Sequence, residues 1–492
     1  MAIQVNGTQV IGNSRELTNI ASVDATTAAS ITAAGVGGGG TVSLTAKGSI
    51  AAGDPVTLNT DGTVSKCGQL QSPTEGFGVS AARKTVMYDT GNDATVVVYQ
   101  GNNNDSYAMV ATYANGEYSF GSPVRLNSQS TYDCTGCYDP DSGKIFTVWF
   151  NASSSNTGMA MGTVSGNSIS FGSTYTFSQY TDALSACYDE NVNRVVLAYR
   201  DMTPNRGGVR AASISGNSIT IGGQTTFQSS AVRDPRVAYD STNLKTALVY
   251  RHSASSDQGK GSVLTISGTS VTVNSSSNFG SSTNNEENAI AFDANTNKFV
   301  VAYKAGSAGN IGRLVTGTIS GTSISFSSEV QFTSATAPSA NFPGVAYSTA
   351  LSQCYVSINS GYIYPVTTSG STPSVGTEFR LDNQSNDSAL GYNPDQSQFL
   401  YVSDSGLSGY NPAARPASFV GVATAAMSNG QTNDITVVGG VNEAVSGLSV
   451  GAPIYLENSG VLGTTSTNSN GKVGQALAAN KLLITGTSTT DP

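Results

Sequence analysis

The sequence is short of most side chains that do chemistry. It holds one histidine, His252, in 492 residues, so a histidine metal site or a Ser-His-Asp triad would have to be built on it, and neither has partners at motif spacing. Charged residues make up 11%, against roughly 25% in an ordinary soluble chain. Lysine and arginine total 23 against 32 acids, the formal charge is −9, and no basic run occurs. Nucleic acid is excluded as a partner on that ground, because binding it depends on cations displacing counterions from phosphates. No stretch reaches the length of a membrane span and the start has no charged segment followed by an apolar one, so neither membrane insertion nor a signal peptide is expected.

The five cysteines are too few and too scattered for a disulfide scaffold. Cys134 and Cys137 have CxxC spacing, but zinc needs a second ligand pair and a redox dithiol should open a helix. Cys137 and Cys187 also occupy a slot that holds Ala238, Ala291, Ala346 and Gly391 in parallel segments, which reads as a small residue in a tight core. No metal or other cofactor is expected.

What the chain has in quantity is repetition. "MYDTGNDATVVVY" (87–99), "CYDPDSGKIFTVW" (137–149), "CYDENVNRVVLAY" (187–199), "AYDSTNLKTALVY" (238–250) and "AFDANTNKFVVAY" (291–303) are followed by weaker copies at 346–358 and 391–403. The anchoring aromatics are Tyr88, Tyr138, Tyr188, Tyr239, Phe292, Tyr347 and Tyr392, at steps of 50, 50, 51, 53, 55 and 45 residues. Eleven residues on stand Tyr99, Trp149, Tyr199, Tyr250, Tyr303, Ile358 and Ser403, each closing a β-branched or aromatic run. A second hairpin signal recurs between them, "SGNSIS" at 165–170 and "SGTSIS" at 320–325 among others, where glycine supplies the positive φ of a tight turn. Four antiparallel strands per period of about 50 residues predict β-propeller blades that cover one another's faces. The expected fold is all-β: a seven-bladed propeller over 76–417, with a β-solenoid as the rival. The last blade is incomplete, and either 419–426 or a strand near 76–82 closes the ring.

The two ends match each other: Gly53, Pro55, Leu58, Gly62 and Val64 parallel Gly451, Pro453, Leu456, Gly460 and Val461 or Leu462. One small discontinuous β domain, from 41–75 and 418–492, is therefore expected around the propeller. Residues 1–40 are small and polar, end in the hinge "GVGGGG", and cannot bury enough surface alone, so they read as an extended attachment arm ordered by other copies or another protein.

Candidate contact residues come from the long loops that join second to third strands and blade to blade, since variation on a fixed scaffold is where binding usually lives. Arg200, Arg206, Arg233, Arg236 and Arg251 cluster in the third and fourth blades; Arg200, Arg206, Arg233 and Arg251, with His252, are the expected contacts for an anion or acidic glycan. Ser255, Asp257 and Gly259 resemble part of the Asp-box of sialidase propellers, in one copy without its closing aromatic, and read as a surface loop. Glu286 and Glu287 are adjacent on a strand, so they should point to opposite faces and form no catalytic carboxylate pair. The chain is therefore expected not to be an enzyme.

"IGNSRELTNIASVDATTAASITAAG" (11–35) resembles the amino-terminal segment of tail-fibre-like structural proteins of tailed bacteriophages, particularly of marine bacteria, and 419–465 with 472–486 resembles a small β module of the same group. The resemblance implies virion location, assembly in the bacterial host cytoplasm and a homotrimer. The arm would join other virion proteins, and the propeller would meet a host-surface glycan or protein, on a tail fibre or a decoration fibre. A lectin-like propeller is the alternative, and a divergent sialidase-like hydrolase a weaker one.

Overall fold

The structure, a computed structural model, describes residues 3–5, 8–11 and 40–488, except 47–49, 59–61, 68–69, 72–81, 102–103, 115–116, 128–129, 281–283, 334–342, 360, 377, 381–387, 397, 404–405, 411–418, 429, 457–461 and 465–471. The hinge glycines 35–39 and the predicted closing strand near 76–82 lie outside the described residues, apart from Ala82 itself, which begins a strand of the first blade.

Seven sheets form the propeller. Their inner strands are Ala82–Asp89, Thr131–Asp139, Thr181–Asp189, Val232–Asp240, Asn285–Asp293, Gly344–Ser348 and Ala389–Asn393. These contact one another in chain order, and the seventh returns to the first, so the ring is closed and a solenoid is excluded. Register repeats with the sequence. Tyr88 pairs with Thr95, Tyr138 with Ile145, Tyr188 with Val195, Tyr239 with Thr246, Phe292 with Phe299, Tyr347 with Cys354 and Tyr392 with Phe399. Second strands such as Arg194–Asp201 are apolar in succession because neighbouring blades bury both faces. Cys134 and Cys137, three apart on one strand, consequently enter different cores, one between blades 1 and 2 and the other between blades 2 and 3. Burial pushes the Cys137 thiol well up, and all five cysteines are free.

The repeated Tyr-Asp pair is explained at the turn face. Each buried acid caps the turn after it: Asp240 Oδ1 accepts the Thr242 and Asn243 backbone N–H groups at 2.9 and 2.8 Å, and Asp139 does the same for Asp141 and Ser142. The tyrosine before it leans onto the turn of the preceding blade. Tyr88 donates to Asp395 of blade 7 at 2.6 Å, and Tyr392 accepts the Ala350 N–H of blade 6 at 3.3 Å. The outer strand of most blades is broken in two, and at Gly222 an added Cβ would lie 2.0 Å from the Thr269 carbonyl of the next blade's outer hairpin, so only glycine seats that hairpin.

Closure comes from neither of the two segments expected. The fourth strand of blade 7 is Leu70–Gln71, paired with Gly409 and Ser408, so this dipeptide belongs to the propeller sheet and not to the small domain. Two residues suffice because Leu400, Val402 and Leu407 pack onto blade 1, and Tyr118 donates to Gln398 at 3.0 Å.

The flanks build two sheets of the same topology. In one, Thr41–Thr45, Thr432–Thr436, Phe419–Ala423, Pro55–Leu58 and Val64–Lys66 lie side by side; in the other, Val441–Asn442, Lys481–Ser488, Lys472–Ala478, Pro453–Leu456 and Leu462–Gly463 do. In chain order both read first, fifth, fourth, second, third. An added Cβ at Gly421 would lie 2.1 Å from Thr436 O, and one at Gly474 2.2 Å from Leu483 O, at matching positions. The small domain is a tandem duplication, and the propeller is inserted between the third and fourth strands of its first copy. Cys67 and Val422 join Ile454, Val473 and Leu482 in one core.

Candidate functional site

At the loop end of the inner strands the alternation of side chains breaks. Blades 1 to 5 carry a β-bulge there, between Ala82 and Thr85, Thr131 and Cys134, Asp182 and Ser185, Arg233 and Arg236, and Glu286 and Ala289. The extra residue takes a positive φ at Ala183 (52°), Asp234 (49°) and Glu287 (54°). Carboxylates at this position stitch blade to blade: Asp133 Oδ2 accepts the Leu184 N–H at 2.6 Å, and Asp234 Oδ2 accepts the Glu287 N–H at 3.1 Å.

The bulge corrects the reading of Glu286 and Glu287. They do not point to opposite faces; both reach Lys304 Nζ, at 2.8 and 3.0 Å. Burial would push the Glu286 carboxyl up, yet the Lys304 hydrogen bond and charge, with Arg251, hold it below its usual range; Lys304 is raised in turn against its own burial. Arg251 completes the network, with Nη1 3.2 Å from Glu286 and Nε 3.4 and 3.6 Å from Asp234 and Asp257.

The arginines named from sequence do lie at the loop face, but they do not form a shared anion site. Arg200 pairs with Asp182 at 2.6 Å and Arg206 with the buried Asp201 at 3.0 Å, while Arg251 is 9% exposed among three carboxylates. The charge of each of these guanidinium groups is already met by a carboxylate, which weakens its pull on a further anion. Arg233 is exposed, opposite Arg251. His252 Nε2 lies 2.7 Å from Ser230 Oγ, which accepts from Gln228 Nε2 at 2.8 Å, and burial, then Lys260, lowers the imidazole pKa. Its Nδ1 is buried without a partner, so no third group orients the ring as a triad would require.

A cavity of about 240 Å3 lies on the axis, lined by all seven inner strands. It is layered: Asp133, Asp234 and Glu287 at the loop end, then Lys84, Asn288 and Ser388, then Thr85, Thr135, Ser185 and Arg236, and last Val86, Val237, Ile290, Val345 and Leu390 toward the turn face. The sequence reading missed this set. The signal was there: five residues before the anchoring aromatic, an otherwise uniform repeat holds Arg83, Asp133, Ala183, Asp234 and Glu287. Among the described residues no three metal-ligating side chains converge.

No family model matches the sequence, and no curated protein matches it. Among solved structures the chain is similar to a protein from Lactobacillus plantarum (10% identity, TM-score 0.46, covering 67% of this chain and 95% of that one). It is also similar to the periplasmic gluconolactonase PpgL of Pseudomonas aeruginosa (12%, 0.45, 69% and 95%) and to Saccharomyces cerevisiae Sqt1 (14%, 0.44, 85% and 99%). The chain has a β-propeller fold. The gluconolactonase is by name an enzyme, and the expectation that this chain is none does not stand, because the lack of a catalytic motif in a sequence does not exclude turnover.

Proposed function

We propose that this chain is a structural protein of a tailed-phage particle, a tail fibre or decoration fibre, that presents the loop face of its propeller to a host-surface molecule or a virion partner. The observation that carries this reading is the insertion. The chain enters the ring through Leu70–Gln71 and leaves it after Gly406–Tyr410, neighbours in one sheet, so both flanks return to one duplicated base to which the N-terminal arm is attached. Such a base separates holding from displaying. The arm, of which Ile3–Val5 and Thr8–Ile11 form a small hairpin, joins three copies and docks them on the particle.

Two measurements test the reading. Antibodies raised against the propeller should label intact purified particles from the bacterial host; particles without the protein would overturn it. Sedimentation of a chain lacking residues 1–40 should give a folded monomer where the full chain gives a trimer. A truncated chain still trimeric and particle-competent would remove the arm from the proposal.

A further inference from the structure

Duplication lets one face of the base be compared with its own counterpart. Neighbours across the first sheet are Thr41, Thr436, Val422 and Pro55; at matching positions across the second stand Val441, Leu483, Gln475 and Pro453. The first row is covered by the second copy. Val422 and Thr436 are buried, Val422 shares a core with Ile454, Val473 and Leu482, and Asn442 Nδ2 donates to the Val422 carbonyl at 3.1 Å and to Thr436 Oγ1 at 3.0 Å. The second row has no such cover among the described residues: Val441 is 43% exposed, Gln475 and Pro453 are exposed, and Leu483 is half-buried.

The open face nevertheless carries the larger apolar side chains. Val441 and Leu483 stand where the covered copy has threonines. The bonds from Gly53 N–H to Ala423 O and from Gly451 N–H to Ala476 O, at 2.9 and 2.8 Å, also match Ala52 with Val450 and Thr424 with Leu477. Val450 is 73% and Leu477 46% exposed, on segments held side by side by that second bond and by Leu448 N–H to Ala479 O at 3.0 Å. Gln475 in place of Val422 is an exchange in the other direction. Apolar side chains gathered on one exposed face mark a docking surface.

From this comparison we infer that the open face of the second copy seats the chain's own N-terminal arm, residues 12–39. Position supports the arm as occupant: it joins the base at Gly40, whose carbonyl accepts the Val437 N–H at 3.2 Å and lies 3.2 Å from where a Cβ on Gly440 would stand, next to Val441. Reach is ample, since residues 25–39 extend to about 50 Å and four strands side by side span about 14 Å. Composition fits as well. Residues 12–39 hold only Arg15, Glu16 and Asp24 as charges and offer Leu17, Ile20, Val23 and Ile31, so the arm can cover the face without burying an unpaired charge. The inference rests on the proposed function only for which copy supplies the arm: where arms join three copies, the arm on the face is a neighbour's.

The test uses the full chain with a benzophenone photo-cross-linker in place of Leu477, and in a second variant in place of Val450, and maps the linked peptides by mass spectrometry. Both positions should link to residues 12–39. Links to the same face of another copy, or no link into 12–39 from either position, would overturn the inference. A link between two chains agrees with arms that join copies; a link within one chain upholds the site and tells against that joining role. Trypsin gives an independent reading, because Arg15 is its only site before Lys47. Leu477→Asp and Val450→Asp should each speed cleavage after Arg15 at least fivefold without changing the melting temperature, whereas Leu244→Asp, equally exposed on the propeller at 46%, should leave the rate as it is. Cleavage unchanged in both base variants would overturn the inference, as would an equal gain from the propeller variant.

Discussion

The turn face and the loop face of the propeller are built from opposite ends of the same inner strands, yet they follow different rules. At the turn face the blades do much the same thing: a buried acid, amide or, in blade 6, the Ser348 hydroxyl caps the turn, and outside blade 5, where Phe292 stands, the anchoring aromatic is a tyrosine such as Tyr88, which leans on the blade before. At the loop face each blade differs. Blade 3 pairs Arg200 with Asp182, blade 4 surrounds Arg251 with acids, and blade 5 brings two glutamates to one lysine. Uniformity marks what holds the ring, and variation marks what is free to specialise.

The largest effect that separates the faces should come from Asp240→Ala. It strips two backbone N–H groups and the Asn243 amide of their acceptor beneath a blade interface, and should cost about 3 kcal/mol in urea unfolding. A loss under 1 kcal/mol would show that the turn face is not where stability resides. Arg251→Met should follow at about 2 kcal/mol, because it takes from Asp234 and Asp257 the cation they share and leaves Glu286 to Lys304 alone, while the partial exposure of these acids tempers the loss.

A pH series gives a smaller effect of known sign. Glu286 has its pKa lowered in the fold, so its contribution is complete above its ordinary value of 4.5 and is lost as pH falls through the lower folded value; Lys304 is raised, so its contribution is complete below 10.5 and is lost as pH rises through its folded value. Lys304→Met should flatten both limbs of stability against pH, and unchanged limbs would sink the assignment. Arg233→Ala, exposed at the loop face, should stay within about 0.5 kcal/mol of the parent.

Parts of this were legible in the text because they rest on local chemistry. An aromatic followed by Asp, Asn or Ser and a polar turn is a self-contained cap, and seven copies fix the blade count and the register. The likeness between 53–64 and 451–462 is likewise visible, and its members are the equivalent hairpins Pro55–Leu58 with Val64–Lys66 and Pro453–Leu456 with Leu462–Gly463. The closing strand was not legible, since a dipeptide such as Leu70–Gln71 carries no pattern and is chosen by the vacant edge of Gly406–Tyr410.

The sequence by itself determined that strands form, where they turn, and that seven like sheets must bury one another, because period, turn chemistry and apolar runs act over a few residues. Only the tertiary structure decided what meets at the axis. A bulge shifts Glu287 onto the face of Glu286, and ring closure brings Asn288, Ser388 and Arg236, from three blades, around one cavity. Those meetings depend on where a strand's alternation is interrupted and on the angle between blades, neither of which is written in any short stretch of the chain.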